Sequence, residues 1–304
     1  MSYHLPSLGK TLGAVYIGAM LSSVLLGITA LQAVIYYKKF PHDPWYYRYS
    51  VAALWILDML HVALNTHAIY FYLVDSFGNY LALDSVIWSF KLQVLINVII
   101  VVGVQSLYAV RLWKLGHHFH RVIPWFIVLV IVGGCATGIA MTYDTYQLSH
   151  VSSIPTISKT VDGTFATSTS VDFIISGAMF YYLHKSTTIT QFESTITLIL
   201  SLMRVVVISG LATSACSLLA LMTFVTLPNT LVFFAIGFIL PKLYINSLLA
   251  MLNARDIRVK DYRNGGAPQV LQLTSENDSD IGMMERGVGT SLSDSPAVTP
   301  HEKF

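Results

Sequence analysis

Seven stretches of this chain are each apolar over the length of a bilayer's hydrocarbon core, and that feature limits what the chain can fold into more than any other. They cover residues 12–36, 49–74, 86–112, 122–143, 164–183, 196–224 and 231–252. A helix rises about 1.5 Å per residue, so about 20 residues cross a core about 30 Å thick. A helix on the surface of a soluble domain is apolar along one stripe, whereas these runs are apolar nearly all round. Charged residues make up only 11% of the chain, against roughly 25% in soluble domains, so too few polar side chains exist to clothe a water-facing surface. The expectation is an all-α integral membrane protein. Residues 1–254 form a seven-transmembrane-helix bundle, and residues 255–304 form a disordered cytoplasmic tail.

Orientation follows from where lysine and arginine fall in the short loops, because cytoplasmic loops carry the excess. Lys38, Lys39 and Arg48, then Arg111, Lys114 and Arg121, then Lys185, then Arg255, Arg258, Lys260 and Arg263 alternate to one side; Lys10 and Lys159 fall on the other. The sequence therefore predicts an N-terminus outside and a C-terminus in the cytoplasm, in the plasma membrane or an endomembrane. The first run lacks a small-residue cleavage site and reads as a retained span. The tail is rich in Gly, Ser, Asp and Asn and too poor in apolar residues to offset the entropy of ordering. Residues 255–263 are basic and suited to anionic lipid at the inner leaflet.

A net charge of +2 is too small to point to nucleic acid, so no nucleic-acid partner is expected. Cys135 and Cys216 both sit inside apolar runs, as packing residues do. Gly134 and Gly138 stand at the spacing that lets helix backbones approach closely in lipid. His117, His118 and His120 cluster in one loop without carboxylate or thiol company, which fits an interfacial basic loop better than a metal site, and no metal or cofactor is expected. In the tail, Ser279, Ser295 and Thr299 resemble kinase substrates. Asn277 begins a glycosylation triplet on the predicted cytoplasmic side, where it stays bare.

An ionisable side chain near mid-bilayer costs about 2.5–3.5 kcal/mol on insertion scales, so such residues are candidates for function. Asp58 and Lys242 each lie about nine or ten residues from the inner ends of their spans, about 14 Å deep at 1.5 Å per residue. In a closed ring of seven helices the first, second and last are neighbours, and an Asp58–Lys242 ion pair is the expected contact. His61, one turn from Asp58, shares its face. Arg204 lies nearly as deep, and Thr169, Asp172 and Ser176 recur at helical spacing as the wall of an outward-facing cavity. The competing reading of the pair is an ion pair that sets helix register and binds nothing. Lys91, near an outer end, is expected to reach for the interface.

Three stretches carry a family resemblance: Leu12-Gly13-Ala14-Val15-Tyr16-Ile17-Gly18, Leu54-Trp55-Ile56-Leu57-Asp58-Met59-Leu60-His61, and the run from Lys242-Leu243-Tyr244-Ile245-Asn246-Ser247 to Asn253-Ala254-Arg255. Gln105-Ser106-Leu107-Tyr108-Ala109-Val110-Arg111-Leu112-Trp113 and Asp172 add to it. Together they resemble a family of seven-span membrane proteins of mushroom-forming (basidiomycete) fungi known as a domain of unknown function. The resemblance covers residues 9–255 and implies the fold but no chemistry. Other seven-span classes fit less well. Pro241-Lys242-Leu243-Tyr244 is similar to part of a rhodopsin-like receptor signature, but Leu240 stands where that signature has Asn. Lys242 resembles a retinal Schiff-base lysine, yet the third span has no matching carboxylate.

No nucleophile and base can be assembled with a metal or proton relay, so an enzyme is not expected. The leading expectation is a receptor-like or sensor-like protein that binds a small-molecule ligand inside the bundle and meets cytoplasmic partners through its inner loops and tail. A transporter or proton-coupled carrier using Asp58, Asp172, Arg204 and Lys242 is the alternative.

Overall fold

The computed structural model describes residues 12–116, 122–189, 193–227 and 230–254. The expectations for His117, His118, His120, the basic segment after residue 254 and the tail lie outside the described residues. Seven long helices carry the fold: α1 (Ala14–Lys39), α2 (Trp45–Tyr70), α4 (Trp88–Gly116), α5 (Val122–Gln147), α6 (Ser158–Ile189), α7 (Glu193–Thr226) and α8 (Val232–Asn253), with a single helical turn, α3 (Tyr80–Leu83), between α2 and α4. Neighbours in sequence pack side by side, and α8 returns against α1 and closes the ring. Helix α4 lies inside it, against α2, α5, α6 and α8.

The breaks between helices have local causes. Pro44 stands as N-cap of α2, where a missing N–H costs nothing and the fixed backbone angle suits the first turn. The α1–α2 corner is tied by Tyr36 Oη donating to Asp43 at 2.9 Å and by an Arg48 guanidinium N–H donating to the Pro41 carbonyl at 3.1 Å. Beyond Tyr70, helix α2 widens into a π-helical turn, Phe71–Asp75. It ends at Asp75, and the turn that follows passes through Gly78, whose φ of +78° is a left-handed conformation that favours glycine. Asn79 then caps α3 by accepting from the Ala82 N–H at 3.3 Å.

Six of the helices are long and apolar enough to cross a membrane: α1, α2 with its π turn, α4, α5, α7 and α8. Their outward faces present large apolar side chains, among them Ile17, Leu21, Val24 and Leu31 on α1 and Leu129, Val132 and Ile139 on α5. Apolar surface spread so evenly is what lipid requires and what water penalises. Helix α6 is the exception. It carries Lys159, Asp162, Asp172 and Lys185 and a run of Ser and Thr. Several of those hydroxyls are satisfied within the helix, Thr164 on the Thr160 carbonyl at 2.8 Å, Thr167 on Gly163 at 2.7 Å and Thr169 on Phe165 at 2.8 Å. Bonds of this kind let a helix of low apolar content pack between α5 and α7 without orphaned donors.

The glycines of α5 do pack closely, but against two different helices. Gly134 faces Val171 of α6, and a Cβ on Gly138 would stand 2.8 Å from Val98 of α4. Lys91 reaches the last turn of α5, donating to the Tyr146 carbonyl at 3.0 Å, where the negative end of the helix dipole favours a cation. Both cysteines are free thiols.

Candidate functional site

Helix α8 organises the interior. Its polar residues Lys242 and Asn246 lie one turn apart and reach α2 and α1, while Tyr244 projects to α6, so each serves a different neighbour. Lys242 points to α2, where its ammonium forms an ion pair with the Asp58 carboxylate and donates to the Asp58 main-chain carbonyl at 2.9 Å. Both side chains are wholly buried. Asp58, His61 and Asn65 recur at helical spacing, giving α2 one polar stripe on its inner face, and Asn65 Nδ2 lies 3.3 Å from His61 Nδ1. Thr29 of α1 flanks the carboxylate. Asp58 Oδ2, His61 Nε2 and Asn65 Oδ1 make no hydrogen bond to the protein. A buried polar group in that state is either destabilising or reserved for something else.

Asp172 belongs to a second cluster on the other side of α8. Its Oδ1 accepts from Gln105 Nε2 of α4 at 3.2 Å, and its Oδ2 accepts from the Tyr244 hydroxyl at 2.5 Å. Thr169, one turn away, lies 2.8 Å from the Ser217 hydroxyl of α7, within hydrogen-bond distance. Asp172 and Ser176 line a cavity of about 20 Å³, while Thr169 is spent on helix pairing. Arg204 joins neither cluster. It is exposed on α7, and among the described residues no acidic side chain pairs with it. Of the five charged or titratable candidates, then, Asp58, His61 and Lys242 come together, Asp172 stands apart, and Arg204 faces outward.

Two further cavities lie toward the end of the bundle where α8 begins. One, of about 60 Å³, is bounded by Val15, Ile69, Tyr72 and Val86. The other, of about 50 Å³, is bounded by Gln93, Asn97, Met141 and Phe165. Both touch Phe90, Ile154, Phe234 and Phe238, and the Phe90 and Phe234 rings meet edge to face with centroids 4.9 Å apart. Phe238 is one helical turn before Lys242, and its ring lies edge-on to His61, centroids 6.5 Å apart. The apolar space therefore ends one aromatic ring from the buried charges. Gln93 Oε1 and Asn97 Oδ1, on the wall of the second cavity, make no hydrogen bond to the protein.

A lid covers this end. Asp84 accepts from the Ser152 backbone N–H at 2.8 Å and from its hydroxyl at 3.0 Å, and lies 3.2 Å from His150 Nδ1. The Val151 N–H donates to the Asp84 carbonyl at 2.7 Å. These bonds fasten the 3₁₀ segment Val151–Ile157 to the loop after α3. Nothing in the sequence marked Asp84, Gln93 or Asn97 as special, and Gln105 stood out only as part of a stretch that carries the family resemblance.

In comparisons with known proteins, residues 168–257 match a family of unknown function, DUF6534. That segment takes in Asp172, α7 and the whole of α8. No curated protein and no solved structure matches the chain.

Proposed function

We propose that this multi-pass helical protein is a seven-span receptor-like or sensor-like membrane protein whose bundle binds a small apolar ligand between Phe90, Phe234 and Phe238. The observation that carries this reading is the pair of adjoining apolar cavities beneath the Asp84 lid, separated from the Asp58–Lys242 pair by the Phe238 ring. Mostly apolar walls with a few convergent polar groups are the usual make-up of a small-molecule site. Here the polar groups are the Gln93 and Asn97 carbonyl oxygens, which suit a ligand carrying a hydroxyl or N–H donor. An occupant pressing on Phe238 displaces the turn that holds Lys242 and so biases a packed, charged contact between α2 and α8. That gives two alternative packings of the kind a sensor needs.

In this reading α6 is the remaining span, the N-terminus is outside, and Lys38, Lys39, Arg48, Arg111, Lys114 and Lys185 face the cytoplasm, where inner loops and tail meet partners. Membership in the fungal seven-span family, the absence of catalysis and the absence of a cofactor are parts of the same proposal. The test is thermal unfolding of the purified chain against a panel of small apolar alcohols and phenols. Binding raises the midpoint, and Asn97→Leu selectively weakens ligands that carry a donor. A panel without any stabilising compound, or one whose ranking ignores Asn97→Leu, removes the reading.

A proton-coupled carrier is favoured by one observation: Asp58 Oδ2 and His61 Nε2, on residues one turn apart on α2, both lack a hydrogen-bond partner. Uptake into proteoliposomes driven by a pH gradient and abolished by Asp58→Asn identifies that function instead.

A further inference from the structure

Asp172 presents a carboxylate that the bundle leaves without a cationic partner. It is 5% exposed, and among the described residues no Lys, Arg or His forms an ion pair with it. Both of its oxygens face donors, Gln105 Nε2 on one and the Tyr244 hydroxyl on the other. Donors placed at both oxygens favour the ionised form over the neutral one. A lone buried anion is strongly unfavourable unless an opposite charge stands beside it.

The space for such a charge adjoins it. The cavity of about 20 Å³ is walled by Gln105, Tyr108, Ser176, Ser209, Thr213 and Ser247 together with Asp172, and holds about one water-sized centre. Much of its wall is apolar, Ile175 and Val206 included, and its polar groups are hydroxyls, one side-chain amide and the carboxylate, with no thiol and no imidazole. Tyr108 is buried, and its hydroxyl makes no hydrogen bond of normal geometry. A Cβ on Gly210 would collide with the Ser176 side chain, so glycine at that position keeps the Ser176 hydroxyl in place.

We propose that this cavity binds a single alkali cation, held by the Asp172 carboxylate and neighbouring hydroxyl oxygens, as an electrostatic clamp joining α4, α6, α7 and α8. One carboxylate balances one positive charge. A divalent ion in the same place retains an uncompensated charge and asks for more carboxylate oxygen than the wall supplies. This site is separate from the apolar cavities, and its occupation does not depend on their role.

The experiment is the thermal unfolding midpoint of the full chain in lipid nanodiscs at fixed ionic strength, in sodium, potassium or choline chloride. Choline is too large for the cavity. Sodium or potassium is expected to raise the wild-type midpoint above its choline value, in a saturable way. Asp172→Asn abolishes that rise, and Ser209→Ala moves it to higher salt. Equal wild-type midpoints in all three salts overturn the proposal, as does a rise that persists in Asp172→Asn. Should Asp172→Asn fail to fold, the double change Ser209→Ala with Thr213→Ala decides: a weakened salt response supports the site, and an unchanged one overturns it.

Discussion

Lys242 grips Asp58 twice, once at the carboxylate and once, at 2.9 Å, at the main-chain carbonyl of the same residue. The second bond ties the lysine to the α2 backbone as well as to a side chain. Removing either partner leaves one charge buried and unpaired, which costs about 3–5 kcal/mol, whereas replacing both by apolar residues of similar volume is often neutral. Asp58→Leu and Lys242→Met are each expected to lower the unfolding midpoint sharply, and the double change to recover most of the loss. If both single variants unfold as the wild type does, the pair contributes nothing to stability.

The contact that seats α8 against α1 is tighter still. A Cβ on Gly18 would lie 2.6 Å from the Ala235 Cα, a backbone atom that cannot move aside, while Gly27 on the same helix has nothing within 4 Å of that position. Overpacking a close contact costs about 1–3 kcal/mol. An exposed helical glycine gains up to about 1 kcal/mol on becoming alanine. Gly18→Ala should therefore destabilise and Gly27→Ala should not, as read by thermal unfolding of the two variants side by side. Equal effects would mean that α1 shifts freely on α8.

Much of this architecture was legible from the chain itself, because spans in lipid are written as long apolar runs and need no partner to be seen. Six of the seven runs became helices of spanning length and composition. The run with Asp172 formed a helix of spanning length that is less apolar, because it is rich in Ser and Thr; their hydroxyls bond within the helix, a compensation that hydropathy does not register. Asp58 and Lys242 could be matched because a buried charge of one sign needs the other, and the ring brings their helices together. Arg204 misled for the same reason in reverse. Depth alone says nothing about which way a side chain points, and it faces outward. The Asp172–Gln105–Tyr244 cluster was hidden, since an amide and a phenol in apolar runs carry no mark of direction until three helices are packed.

Asp84 holds the lid with its two carboxylate oxygens and its own carbonyl, so truncating it to alanine removes the side-chain bonds and spares the backbone one. The site is partly exposed, and a large loss of global stability is not expected. The change is local. Hydrogen exchange at the Ser152 N–H should quicken in Asp84→Ala, while amides in the middle of α8 keep their wild-type protection. Exchange at Ser152 that is unaltered by the substitution would show that the Val151–Asp84 main-chain bond and the packing of Ile154 suffice to hold the lid.

Orientation is open to a direct chemical test, because two exposed loop residues stand at opposite ends of the bundle. Phe77, 88% exposed, lies in the turn after α2, and exposed His42 lies in the corner between α1 and α2. One crossing of α2 separates them. With the N-terminus outside, a membrane-impermeant maleimide labels Phe77→Cys on intact cells and reaches His42→Cys only after permeabilisation. The background is a chain in which Cys135 and Cys216 are replaced by alanine. The opposite pattern inverts the topology and with it the side from which a ligand enters beneath the Asp84 lid. Equal labelling of both positions on intact cells is incompatible with α2 as a span, and the depth argument for Asp58 falls with it.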